Sequence, residues 1–370
     1  MKKTVTIVLA LMSASAFASK ARLQALGENV NGSFYIQDNR NMFLNANEVN
    51  NYKDFLTFET GTALGTNTET APRSEGGFFR TMGAMNYGLY LGSQYDRTND
   101  ARTTLATRTS NPIDLFVGGD AGSVKWGANL TYSSSNDATT RTKSDYTALR
   151  LGAQVMSNLN VFVQTDINNK ATVGNTVSEN TAKGKMAGSV GATYMINDLK
   201  VFAQYGSDDS KFTSTNGGQS QEFKNNSYLL GVGREASVND KTKVFTKLQY
   251  AQVGNTVEID GVIGRNTHAN QKSVPVTIGL EHVAMSWLTL RGSVAQNLWD
   301  SNNTVTTAGE RNIKNAQSTS VNTGATLTLG SLKIDGVIGS ATSAGTATGN
   351  KNGVLALDNI MSRVALRYNF

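Results

Sequence analysis

The chain has 370 residues, of which 36 are glycine, three are proline and none is cysteine, and it carries a formal net charge of +6. Without cysteine there is no disulfide framework, thiolate metal site or cysteine nucleophile. The positive charge is spread too thinly for the clustered basic face of a nucleic-acid binder, so no nucleic-acid partner is expected.

Residues 1–18 read as an export signal. Lys2 and Lys3 form a positive start, Val5 to Met12 an apolar run, and Ala16-Phe17-Ala18 a cleavage site, so the mature chain is expected to begin at Ser19. The apolar run is shorter than the ~20 residues of a membrane helix. No later stretch is apolar for long enough to be one, so any membrane span has to be built of strands closed into a barrel. Segment 19–53 does not read as a strand, and Asn45-Ala46-Asn47-Glu48-Val49 can start a short helix. It is expected either to fold inside or under the barrel or to hang as a disordered periplasmic tail.

From about Lys53 the chain repeats one unit, an alternating strand of roughly ten residues followed by a very short turn or a long polar loop. Val124, Trp126, Ala128, Leu130 and Tyr132 face one way, with Lys125, Gly127, Asn129 and Thr131 between them. The same alternation runs through 149–155, 186–196, 274–281 and 321–329. Short turns fall near 84–86, 120–122, 156–160, 197–199, 237–240, 284–286 and 330–331. Long loops fall near 61–74, 97–111, 133–144, 168–183, 207–225, 254–271, 299–317 and 341–356. Seven turns and eight loops predict an all-β, antiparallel up-and-down transmembrane barrel of about 16 strands (14–18), with short periplasmic turns and long extracellular loops. The expected division is 1–18 signal, 19–53 lumenal or periplasmic segment and 54–370 barrel. An echo links 159–164 (LNVFVQ), 199–204 (LKVFAQ) and 243–248 (KVFTKL), each opening a strand after a short turn.

At the C-terminus, Val364, Leu366, Tyr368 and Phe370 share one face. This resembles the assembly signal of outer-membrane proteins, and the resemblance implies recognition by the barrel-assembly machinery. The whole pattern resembles general porins of Gram-negative bacteria, which implies passive diffusion of hydrophilic solutes, a homotrimer, and contact with outer-membrane lipid and lipopolysaccharide. Ala25-Leu26-Gly27, Tyr35-Ile36-Gln37-Asp38-Asn39 and Phe43-Leu44-Asn45 resemble the N-terminal region of fatty-acid-transporter-type barrels, although the proline of that pattern is missing after Asn45.

Taking the apolar face as outward points a set of charges into the lumen. The basic ones are Arg80, Lys125, Arg150, Lys185, Lys200, Lys243, Lys247, Arg291, Lys333, Arg363 and Arg367. The acidic ones are Glu59, Asp96, Asp166, Glu235, Glu281 and Asp335. Burying so many charges in a dry core would cost several kcal/mol each, so they imply a wet, weakly basic lumen with a modest preference for anions. His268 and His282 make no nucleophile–base pair and no metal site. The sequence therefore predicts a non-enzymatic porin without cofactor or metal. A hydrophobic-substrate transporter and a non-conducting structural or adhesive surface barrel are the alternatives.

Overall fold

A computed structural model describes residues 19–61, 74–93, 101–105, 109, 111–174, 179–215, 219–260, 266–306, 309–314, 319–343 and 363–370. The expected signal at 1–18 and Asp96 lie outside the described residues. Among them no helix is long and apolar enough to cross a membrane.

The strands are β1 (Phe55–Gly61), β2 (Ser74–Met82), β3 (Met85–Leu91), β4 (Ile113–Ala121), β5 (Val124–Asp137) and β6 (Thr142–Met156). Next come β7 (Leu159–Gly174), β8 (Glu179–Ile196), β9 (Leu199–Thr213), β10 (Gln221–Asn239), β11 (Thr242–Ile259) and β12 (Thr267–Met285). β13 (Leu288–Thr306), β14 (Gly309–Lys314), β15 (Thr319–Leu329), β16 (Leu332–Ser343) and β17 (Arg363–Asn369) complete the set. Each strand pairs antiparallel with the next, except that β13 pairs with both β14 and β15, and β17 pairs with β1, so the sheet closes on itself. β14 continues the line of β15 along the far half of β13, so the wall is a closed barrel of sixteen strands, as the turn count predicts. Closure leaves no strand edge in lipid, where an unpaired backbone group would cost several kcal/mol.

The seven periplasmic turns are two-residue hairpins, and Gly83, Gly122, Asn197 and Gly330 supply the positive φ at the first turn position. The outward face is apolar: Leu115, Leu130, Val190, Leu230, Leu248, Ile278, Val294 and Leu366 are exposed on it. Tyr132, Tyr205, Tyr228, Trp287 and Tyr368 lie on the same face.

Two expectations change. β5 to β13 run for 14 to 19 residues, longer than the ten-residue estimate. Their upper halves carry polar residues on both faces, because above the lipid a strand needs no apolar side to stay paired. Second, a β-bulge between Gly184 and Met186 reverses the parity of β8. Below it Ala187 and Thr193 are buried and Met186 is exposed; above it Ala182 is buried and Lys183 is exposed. Deleting Lys185 should remove this phase change and force half of β8 onto the wrong face. The expected result is loss of the heat-modifiable folded band on electrophoresis.

Candidate functional site

The echoed strands carry an inward aromatic collar. Phe162, Phe202 and Phe245 on β7, β9 and β11 each lie directly across from a glycine of the next strand, Gly191, Gly231 and Gly279. Phe79 lies likewise against Gly88. A glycine has no side chain to pack, so the neighbouring ring covers it and the wall gains a smooth apolar band of rings four residues from the periplasmic turns. The sequence showed these repeats but not their role, because an isolated inward phenylalanine looks like any other strand residue.

Against this collar sits segment 19–54, filling the periplasmic half of the lumen. A short helix, α1 (Lys20–Ala25), packs on β13, β15, β16 and β17, and a 3-10 turn (Ala46–Asn50) packs on β3 to β6. Between them Phe34 stacks on Phe202 with ring centroids 4.9 Å apart. Leu23, Leu26, Tyr35 and Ile36 form one buried cluster with Phe202 and Phe245. Met42, Phe43, Val49 and Tyr52 form a second with Phe55, Phe79, Tyr90 and Phe116. The wall is cut to receive the segment. A Cβ added at Gly118 would come within 3.0 Å of Asn50, at Gly127 of Asn47 and at Gly324 of Ala25.

The polar anchors are continuous. Ser19 caps α1, accepting from the Arg22 amide at 3.1 Å and donating to Asp335 at 3.0 Å. Arg22 is fully buried and bridges Asp38 of its own segment (3.3 Å) to Glu281 of β12 (2.9 Å). Glu281 also accepts from Arg291 of β13 (2.5 Å), which reaches Asp335 of β16 at 3.2 Å. Further round the wall, on β2 and β1, Lys20 pairs with Glu75, and its amide donates to Glu59 at 2.9 Å. Arg40 donates to Tyr90 at 2.7 Å and lies 3.7 Å from Glu59. Lys247 pairs with Glu28 at 2.5 Å, Glu235 accepts from the Gln37 amide at 3.3 Å, and Arg363 donates to Gln24 at 3.1 Å.

The lumenal charges are therefore not a wet ring. Glu235, Glu281, Lys247, Arg291 and Arg363 join the anchors of the segment. Arg367 lies over the Phe55 ring at 4.0 Å, and Lys333 is buried beside it on the inner wall. Arg150 is buried against Asp114 (3.5 Å), Asn129 and Thr131. Asp166 accepts from Tyr146 at 3.0 Å, and Lys243 pairs with Glu235 at 2.8 Å. Lys125 and Lys200 share the inward parity and sit at the periplasmic mouth.

Two residues read as lumenal are corrected. Arg80 is on the outer face, its guanidinium 5.3 Å from the Phe370 ring, because Glu75 and Phe79 take the inward positions of β2. Lys185 sits in the β8 bulge and pairs outside the barrel with Glu222 at 2.7 Å. Leu366, Tyr368 and Phe370 are exposed on the outer face with Val364 half-buried beside them, and Phe370 stacks on Phe78 at 5.6 Å.

Above the segment lies a cavity of about 360 Å³. Its floor is Glu28, Phe34, Arg40, Phe43 and Leu44, and its walls carry Arg150, Gln164, Gln204, Leu229, Lys247 and Gln249. Higher still, a short helix, α2 (Ala101–Thr104), from the β3–β4 connection turns into the lumen. Its Arg102 is held by Asn169, by Ser144 at 2.6 Å and by the carbonyl of Asp145 at 2.5 Å, and the Ala101 amide donates to Ser210 at 2.9 Å. No group of three or more metal-ligating side chains occurs among the described residues.

A closed sixteen-strand sheet with an apolar outer face and a filled polar interior is a transmembrane β-barrel of the outer-membrane type. Residues 116–276 match the outer membrane protein beta-barrel domain family. No curated protein matches the sequence. Solved structures that the chain matches include the alcaligin outer-membrane receptor FauA of Bordetella pertussis, with a TM-score of 0.45 and 10% identity. That match covers 80% of this chain and 62% of the receptor, so the chain spans under two thirds of its length. The CymD monoaromatic hydrocarbon channel matches with a TM-score of 0.39 and 12% identity over 95% of this chain and 98% of its own. A porin matches with a TM-score of 0.37 and 13% identity over 86% and 99%.

Two predictions follow from the seat. Gly127→Leu should drive a side chain into the Ala46–Asn47 backbone and unseat that turn. Proteolysis at 45–51 is expected to speed up at least tenfold while heat-modifiable mobility is unchanged; equal protection would mean that the turn is not held by the wall. The second concerns pH. Burial pushes the Asp38 carboxyl up to about 7, opposed by Arg22, while burial and Arg40 bring Lys20 down to about 8. The docked Asp38 keeps a proton that the free segment loses between pH ~4 and ~7, so docking weakens as pH rises through that window. Docked Lys20 gives up a proton that the free segment keeps from pH ~8 to ~10.5, so docking strengthens as pH rises there. Cleavage within 19–54 should therefore be slower at pH 5 than at pH 7.5, and Asp38→Asn should flatten that difference.

Proposed function

We propose that the protein is an outer-membrane channel for small hydrophilic solutes and ions, closed by its own N-terminal segment and opened when that segment leaves its seat. The observation that carries this reading is the cavity above the segment, whose walls carry the amides and charges of Gln164, Gln204, Gln249, Arg150 and Lys247. A solute entering from outside meets polar groups suited to water-bearing cargo, then a removable stopper. The stopper is tied by ion pairs whose charges water can take over once they part.

A second reading has one observation of its own: Phe34, Phe43, Leu44 and Leu229 put an apolar patch on the same cavity. A hydrophobic-substrate transporter would use that patch. The homotrimer, the reading of Phe370 by the assembly machinery, and the contacts with lipid and lipopolysaccharide belong to this proposal as well.

Conductance of the refolded chain in planar bilayers under a salt gradient tests it. The intact chain should be mostly closed, and deletion of 20–52 should give large stable steps. A folded deletion variant with no steps would sink the channel and shift weight to the apolar patch or to a structural role.

A further inference from the structure

The cavity above the segment is lined by four charged residues, and each already has its opposite. Lys247 pairs with Glu28 at 2.5 Å, Arg150 lies 3.5 Å from Asp114, and Arg40 lies 3.7 Å from Glu59. A charged solute would have to break one of these pairs or go without a partner, and either is costly in a site shielded from water.

The amides are in a different position. Gln204 of β9 and Gln249 of β11 are half-buried, line the cavity and form no side-chain hydrogen bond among the described residues. Gln164 of β7 spends its carbonyl on the Arg150 guanidinium at 3.1 Å, which leaves its NH2 to donate. The side chain of Asn31, on the floor, also has no partner among the described residues. Beside these amides lies a fixed apolar surface. Phe34 is held on Phe202 with an angle of 5° between the rings, and Leu229 lies directly across from Gln204. An amide both donates and accepts, and so does a hydroxyl. Unsatisfied amides around an apolar platform fit a molecule with hydroxyls on its edge and C–H groups on its face.

We propose that this cavity binds a neutral sugar of one or two pyranose rings, its hydroxyls on Gln164, Gln204 and Gln249 and its C–H face on Phe34 and Leu229. The volume of about 360 Å³ lies at the small end of the ~300–1,000 Å³ of ligand pockets. A hydrocarbon would leave the amides without partners, and an ion would compete with the charge pairs; a sugar uses amides and apolar patch together. The inference rests on the reading of this cavity as the path of a hydrophilic solute and narrows the class of that solute. Asn31 and Phe34 belong to the N-terminal segment and the glutamines to the wall, so the site is complete only while the segment is seated. Sugar binding and docking are therefore linked.

Isothermal titration of the full chain with glucose and maltose, in a detergent without a sugar headgroup, tests it. The intact chain should bind at least one of the two, and glucuronate at least tenfold more weakly. Q204L and Q249L should each lose about fivefold and Q204L/Q249L roughly thirtyfold, the effect of one and two hydrogen bonds. At ten times its Kd the sugar should slow cleavage within 19–54 about tenfold. Heat-modifiable mobility checks folding, and the single variants serve if the double variant fails to fold. No binding of either sugar, unchanged binding in the folded leucine variants, or glucuronate binding as tightly as glucose would each overturn the proposal. Conducting steps from the chain lacking 20–52, with no sugar bound by the intact chain, would keep the channel and sink the sugar site. Sugar binding with a folded deletion variant that gives no steps would keep the site and sink the channel.

Discussion

The buried Arg22 guanidinium is the contact on which the closed state turns. It joins Asp38 of the N-terminal segment to Glu281 of the wall, and through Arg291 to Asp335 and back to Ser19 at the start of α1. A lone buried charge costs several kcal/mol, while a chain of alternating charges with shared hydrogen bonds offsets that cost. Segment and wall are thus mutually dependent: removing either leaves the other with buried, uncompensated charge or an open cavity. The same dependence lets such a stopper be reversible, because water can solvate both sides after they separate.

Around this contact the wall is specialised by height. Near the periplasmic turns it is a collar of phenylalanine on glycine with inward glycines cut to receive the segment. In the middle it presents glutamines and charges to the cavity. Toward the outside it accepts α2 through the Arg102 contacts with Asn169 and Ser144 and the bond from the Ala101 amide to Ser210. One strand, β8, serves both faces by a single extra residue, and the bulge at Gly184–Met186 keeps Ala187 inside below and Ala182 inside above.

Much of the architecture was legible because the lipid forces it. A strand in a bilayer must show apolar side chains outward at every second residue, so alternation, turn spacing and the count of sixteen could be read from residues such as Leu130, Val190 and Ile278. Arg80 and Lys185 escaped because parity is relative: a single bulge, or a strand whose inner face carries Phe79 as its outer face carries Phe78, breaks the assumption that apolar means outward. The partners of the inward charges near the periplasmic turns could not be read because such charges look the same on paper whether their partner is water or a segment hundreds of residues away, as Arg22 is from Glu281.

The sequence by itself determined that this chain builds a closed membrane barrel, which side its turns face and which residues meet lipid, since period-two alternation is a local property imposed by a uniform solvent. Only the tertiary structure decided that the lumen is filled by residues 19–54, that Arg22, Arg40 and Lys20 neutralise the wall's carboxylates, and that Gln164, Gln204 and Gln249 line one cavity. Those facts depend on which distant residues closure brings into register, and no local pattern encodes the partner of a buried charge.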